Sequence, residues 1–92
     1  MTSDVVKNES DTRYEIWVEG RLAGFANYRL RPGRVVIPHT EIDPEFEGKG
    51  LGSRLARAAL DDIRRSELKV TPLCPFIADY IRRNPEYQDL VA

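Results

Sequence analysis

The sequence predicts an α+β domain in which three antiparallel strands are followed by a helix, a parallel strand and a C-terminal helix, in the order βββαβα. Three observations point to it. The stretch "RYEIWVEGRLAGFANYRLRPGRVVIPHTEI" is rich in β-branched and aromatic residues and is broken by two turn signals, Glu19-Gly20-Arg21 and Arg31-Pro32-Gly33-Arg34. Further on, Leu51, Leu55, Ala58, Ala59 and Ile63 recur at helical spacing. Finally "LKVTPLCPF" reads as a short strand running into Pro75, a residue suited to the first position of a helix.

Taken in order, the strands fall at 13–19, 22–30 and 34–42. In the first, Tyr14, Ile16 and Val18 share one face, while Arg13, Glu15, Trp17 and Glu19 share the other. Trp17 is out of place on that polar face and is expected to be covered by something else. The helix runs to about Ser66 with Arg54, Arg57, Asp61, Arg64 and Arg65 turned away from its apolar stripe. A strand at 69–74 follows, and "FIADYIRR" forms the last helix, ended by Asn84-Pro85. Residues 1–11 are expected to be a flexible N-terminus and 12–92 a single domain. A strand, helix and strand in succession make 34–42 and 69–74 parallel neighbours with their carboxyl ends at one edge, where α/β sheets bind ligands.

With 92 residues, one small core must support both fold and site. Basic and acidic residues nearly cancel, 14 against 15, and the basic ones are scattered, so neither nucleic acid nor a membrane surface is indicated as a partner. No apolar run approaches the ~18 residues of a membrane span. The polar start "MTSDVVKNESD" lacks the order of a signal peptide, and the lone Cys74 cannot form an intrachain disulfide. These features lead to the expectation of a cytoplasmic protein, a monomer or weak dimer.

The informative stretch is "IDPEFEGKGLGSRLARAAL", with Gly48, Gly50 and Gly52 at alternate positions where the helix begins. Each glycine inside a helix costs about 1 kcal/mol relative to alanine, so alanine at Gly50 or Gly52 should favour the helix and a competing need must exist. A bare backbone at a helix N-terminus, with unpaired N–H groups and a favourable dipole, admits a phosphate. The P-loop pattern fails for lack of a Gly-Lys-[ST], and the dinucleotide pattern fails at its third glycine. A flexible loop entering a helix is the alternative.

Glu47-Gly48-Lys49-Gly50-Leu51-Gly52 resembles the acyl-CoA signature Q/R-x-x-G-x-G/A of the GNAT superfamily of N-acetyltransferases. Upstream, Ile42 followed by Asp43-Pro44-Glu45-Phe46 is similar to the family's V-x-P-x-x-R-G-x-G-I-G. Downstream, "RLARAALDDIRR" resembles its helix, and "TPLCPFIADYIRRNPEY" looks like the cysteine-bearing end of very small, single-domain members. The resemblance covers about Tyr14 to Val91. It implies a GNAT-like α+β fold, acetyl-CoA (coenzyme A) as cofactor with no metal, and an amine acceptor, either a small molecule or a peptide. The residues it implies for coenzyme A are Ile42, Glu47, Gly48, Lys49, Gly50, Leu51, Gly52 and Ser53. Two departures stand out. The first motif position carries Glu47 where the family has Gln or Arg, and the elements that normally build the acceptor pocket are missing.

Acetyl transfer from a thioester needs a deprotonated amine, a polarised carbonyl and a proton for the departing thiolate. The single histidine and single cysteine are the catalytic candidates. His39 lies near the carboxyl end of one strand and Cys74 at the carboxyl end of its parallel neighbour, so the two are expected to face each other where coenzyme A enters. Pro75 makes Cys74 an N-cap, a setting that favours the thiolate. Direct attack by the amine and transient acetylation of Cys74 with His39 as base are both open, as are a buried structural role for Cys74 and a strand role for His39. Glu41, Tyr80, Arg82 and Arg83 are secondary candidates. Two classes of function result: an acetyl-CoA-dependent N-acetyltransferase, or a non-catalytic coenzyme A-binding or protein-interaction module of the same fold.

Overall fold

The computed structural model describes residues 2–92. Five strands form one sheet in the order β1-β2-β3-β4-β5: β1 is Ser3–Asn8, β2 Arg13–Val18, β3 Arg21–Arg31, β4 Arg34–Ile42 and β5 Lys69–Pro72. Neighbours from β1 to β4 run antiparallel, while β4 and β5 are parallel, joined through helix α1 at Leu51–Arg65. Helix α2, Pro75–Arg83, and a 3-10 stretch at Pro85–Leu90 complete the chain.

The expected order βββαβα is therefore present with one extra strand at its start. Residues 3–8, read from the sequence as part of a flexible N-terminus, pair with β2 over their whole length, from Ser3 opposite Val18 to Asn8 opposite Arg13. Val5 explains the gain, because it lies opposite Ile16 and packs against the core. Met1 lies outside the described residues.

Both helices contribute to a single core on one side of the sheet. Leu55, Leu60 and Ile63 of α1 and Ile77 of α2 join Tyr14, Ile16 and Ile37 of the strands in one buried cluster. Removing a side chain such as Leu55 down to alanine costs about 2–5 kcal/mol in a core of this kind. Two hydroxyls fix α1 from opposite ends of the sequence: Tyr14 donates to Asp62 at 2.8 Å and Tyr87 donates to Asp61 at 2.8 Å. Burial and the adjacent carboxylate push both phenols up, Tyr87 to about 12.

Among the described residues, the other face of the sheet carries no helix. Glu15 lies there, nearly inaccessible, and accepts from Arg13 Nε at 2.6 Å, Asn8 Nδ2 at 3.0 Å and Trp17 Nε1 at 3.1 Å. The polar side of β2 is thus a hydrogen-bonded cluster, and Trp17 belongs to it through its indole N–H. Burial alone would raise the Glu15 pKa, but these donors outweigh it and hold the carboxyl below its usual range.

One irregularity in β4 decides where the site falls. Asn27 pairs with His39 but Arg29 pairs with Val36, so Ile37 and Pro38 together oppose Tyr28 alone. This is a β-bulge, placed at a proline that has no N–H to give the ladder. It reverses the facing of the strand. Val35 and Ile37 point into the core before the bulge, whereas Thr40 and Ile42 point to the helical side after it.

Candidate functional site

At the end of β4 the chain turns through Asp43, whose Oδ1 accepts the N–H of Glu45 at 2.9 Å, into a 3-10 turn at Pro44–Phe46. Arg21 pairs with Glu45 and lies over the Phe46 ring at 5.1 Å, which holds this turn against the sheet. Gly48 and Gly50 then take left-handed backbone, at φ 78° and 76°, and α1 starts at Leu51. Gly50 caps α1 without any side-chain hydrogen bond, and no acid occupies its first turn. The first intrahelical bond runs from Arg54 N–H to Gly50 O at 3.2 Å, leaving the N–H groups of Leu51, Gly52 and Ser53 free of partners in the helix.

The glycines therefore have separate backbone and packing reasons. Gly50 is a left-handed cap outside the helix, so alanine there would strain the chain rather than favour the helix as its place in the sequence suggested. At Gly52 a Cβ would come within 2.7 Å of Phe76 Cζ, so this glycine lets the Phe76 ring of α2 lie against the first turn of α1.

A groove of about 380 Å³ opens at this point. One wall is Thr40 and Ile42 of β4, another is Phe46, Glu47 and Gly48, and the rest is formed by Gly50 to Ser53 and Phe76. The groove exists because β5 ends at Pro72 opposite Ile37, so residues 38–42 of β4 have no strand on that side. The Asp43 N–H bonds Ala23 O at 2.8 Å, and the alternation of an antiparallel pair then turns the N–H and C=O of Thr40 and Ile42 toward the free edge. The Thr40 hydroxyl is buried as well, and it has no hydrogen-bond partner.

A second groove of about 540 Å³ starts from the same helix end. It shares Gly50 and Ser53 with the first, and it carries Arg54, Arg57 and Arg65 with Tyr80. An apolar groove and a basic one thus meet at the uncapped N-terminus of α1.

Of the sequence candidates for coenzyme A, Ile42, Glu47, Gly48, Gly50, Leu51, Gly52 and Ser53 all line the first groove, while Lys49 is exposed beside it. The catalytic pair is a different matter. Cys74 does cap α2, with Pro75 following, but its side chain is buried in the core at 4% exposure and lines neither groove. His39 points to the open face of the sheet, where it packs on Phe25 with ring centroids 6.2 Å apart and pairs with Glu41 at 3.5 Å. The two do not face each other, because the bulge at Pro38 turns His39 away from the helical side. Arg82 and Arg83 both pair with Asp79 of their own helix. Tyr80 is packed, with its ring centroid 6.0 Å from that of Tyr87. Thr40, Phe46 and Phe76 were not singled out as site residues by the sequence, since a strand threonine and two aromatics near prolines carry no motif.

A mixed sheet with a strand cut short beside a glycine-led helix defines a GNAT-like fold. The sequence model described as GCN5-related N-acetyl-transferase matches residues 13–90, and the chain belongs to that family. Protein NATD1 of Homo sapiens is 37% identical over 51 residues, a match covering 55% of this chain and 45% of the relative. Protein NATD1 of Xenopus tropicalis is 37% identical over 51 residues, covering 55% and 47%. The match thus spans about half the length of these curated relatives. Among solved structures, a GCN5-like protein from Staphylococcus aureus superposes with a TM-score of 0.74 at 23% identity, covering 97% of this chain and 87% of that one. Ard1 from Thermoplasma volcanium gives 0.62 at 22% identity, with 86% and 55% covered. These two establish likeness of fold. Among the described residues no cluster of His, Cys, Asp or Glu could hold a metal, and no helix is long and apolar enough to cross a membrane.

Proposed function

We propose that the chain is an acetyl-CoA-dependent N-acetyltransferase acting on an amine of a small molecule or peptide. The observation that carries the reading is the groove between the free edge of β4 and the uncapped N-terminus of α1. Bound acetyl-CoA supplies an acetyl group already activated as a thioester. The N–H groups of Leu51, Gly52 and Ser53, reinforced by the helix dipole, are the donors for its pyrophosphate. Ile42, Phe46 and Phe76 offer an apolar bed for the methylenes of the pantetheine arm, and the outward backbone groups of Thr40 and Ile42 can pair with its amides. Arg54 and Arg57 bring positive charge toward the 3′-phosphate. Lys49 adds positive charge beside the motif, and Glu47 is exposed and free to point into water. With Cys74 in the core, direct attack by the amine is the course favoured over an acetylated cysteine.

One observation supports a second reading, a module that holds coenzyme A without turnover: among the described residues, Glu47 is the only ionisable side chain lining the groove. Mixing the protein with acetyl-CoA and a panel of lysine peptides and polyamines separates the two. Thiol release above the uncatalysed rate supports the enzyme, and coenzyme A binding with no release supports the module.

A further inference from the structure

The β3–β4 hairpin ends in a cluster of arginines. Arg31 stands directly opposite Arg34, Arg29 opposite Val36, and Arg34 opposite Lys69 of β5, so the basic residues lie side by side on neighbouring strands. Val35 points into the core, which turns Arg34 and Val36, and with them their strand partners, to the open face of the sheet. Arg29, Arg31, Arg34 and Lys69 are all exposed. Like charges directly opposite each other destabilise a sheet, and no carboxylate offsets them here. Among the described residues these side chains enter no ion pair, whereas Arg13, Arg21, Arg64, Arg65, Arg82 and Arg83 each pair with an acid. Lys69 turns its ammonium to the Asp89 carbonyl oxygen at 2.8 Å, Arg31 reaches the carbonyl of Leu30 at 3.0 Å, and Arg34 the Thr71 hydroxyl at 3.4 Å. Three guanidinium groups thus share one end of a face with most of their donors unused.

We propose that this end of the open face docks a short acidic segment of a partner polypeptide. Arginine forks match carboxylates, and Arg29 and Arg31, two residues apart on one strand, are spaced roughly 7 Å, the repeat of an extended chain with an acid at every second position. Arg34, beside Arg31, takes a further carboxylate. The charge of the whole chain favours a short peptide over nucleic acid or an anionic membrane. At a formal net charge of −1 the molecule has no long-range attraction for a polyanion, while a few carboxylates need only these local partners. The docking site is separate from the coenzyme A groove, since Arg34 begins β4 and the groove residues Thr40 and Ile42 lie at its other end.

The test uses the full chain and a peptide of alternating glutamate and serine, compared with the same peptide carrying glutamine for glutamate, a single-stranded RNA oligonucleotide and phosphatidylserine vesicles. The acidic peptide should bind, should shift the amide signals of Arg29, Arg31, Arg34 and Val36, and should weaken as salt approaches about 0.5 M. Arg31→Gln should reduce its affinity about twofold to fivefold, and the combined variant Arg29→Gln, Arg31→Gln, Arg34→Gln should remove it. The Tm of Arg31→Gln should stay level or rise, because one of two opposed like charges has gone. The inference is overturned if the wild-type chain ignores the acidic peptide, if the glutamine peptide binds equally, or if the combined variant binds as well as wild type. Tighter binding of the RNA or the vesicles through the same arginines would assign the patch to another anion and also overturn it. A lowered Tm for Arg31→Gln would make that arginine a structural residue, with the same consequence.

Discussion

His39 and Thr40 are adjacent in β4 yet serve opposite faces of the sheet: His39 packs on Phe25 in the open face, and Thr40 lines the groove beside α1. The alternation of a strand imposes this, and the bulge at Ile37 and Pro38 determines which of the two receives the groove. The position of the groove along β4 therefore depends on one inserted residue.

Cys74 should behave as a core residue. Its thiol should react with iodoacetamide slowly in the native protein and at the rate of an ordinary thiol once the chain is unfolded, because reagent must reach a side chain 4% exposed. Cys74→Ser should lower stability by about 1–3 kcal/mol through the buried hydroxyl it introduces, while coenzyme A binding survives. A native thiol that reacts rapidly, and is protected by coenzyme A, would restore Cys74 to the site.

The strand boundaries, the amphipathic helix, the cap position of Cys74 and the glycine turn were legible because each rests on local pattern. What escaped depended on tertiary pairing. "SDVVKN" has only two apolar residues, and Val6 faces away from the core, so nothing local marks β1 until β2 offers its edge. Likewise "VVIPHTEI" reads as continuous alternation, and only its partner strand reveals that two residues oppose one at Tyr28. That skipped step misplaced His39 and hid Thr40.

The two glycines should fail for different reasons. Gly50→Ala forces a side chain into backbone at φ 76° and should cost about 1–2 kcal/mol in stability. Gly52→Ala meets the Phe76 ring, so it should displace an aromatic wall of the groove and reduce coenzyme A affinity at least tenfold. Denaturation curves and calorimetric titration separate the effects, and a Gly52→Ala protein with wild-type affinity would show that Phe76 does not shape the ligand site.

Glu47→Arg, which installs the residue type the family's motif carries, should tighten coenzyme A binding severalfold at low ionic strength, with the gain shrinking toward 0.5 M salt as screening grows. An affinity that falls, or a gain that ignores salt, would mean that residue 47 does not sense the phosphates.

Glu15 should give the stability a defined pH dependence. Its folded pKa lies below its unfolded value, so its stabilisation is present above the ordinary glutamate value of about 4.3 and is lost as pH falls through the lower folded value. Glu15→Gln should cost about 1–3 kcal/mol at pH 7, where it leaves Arg13 with a neutral partner, and the gap from wild type should close on acidification below about pH 4. Urea denaturation at a series of pH values checks this, and a constant gap would remove the carboxylate charge from the explanation.

The most direct measurement is a titration of the 15N-labelled chain with coenzyme A, followed by amide chemical shifts. Perturbations should concentrate on Gly48 to Ser53, on Thr40 and Ile42 and on Phe76, while Arg13, Phe25 and Asn27 on the open face remain still. Shifts confined to the open face, or none at millimolar coenzyme A, would contradict the placement of the site at the junction of β4 and α1.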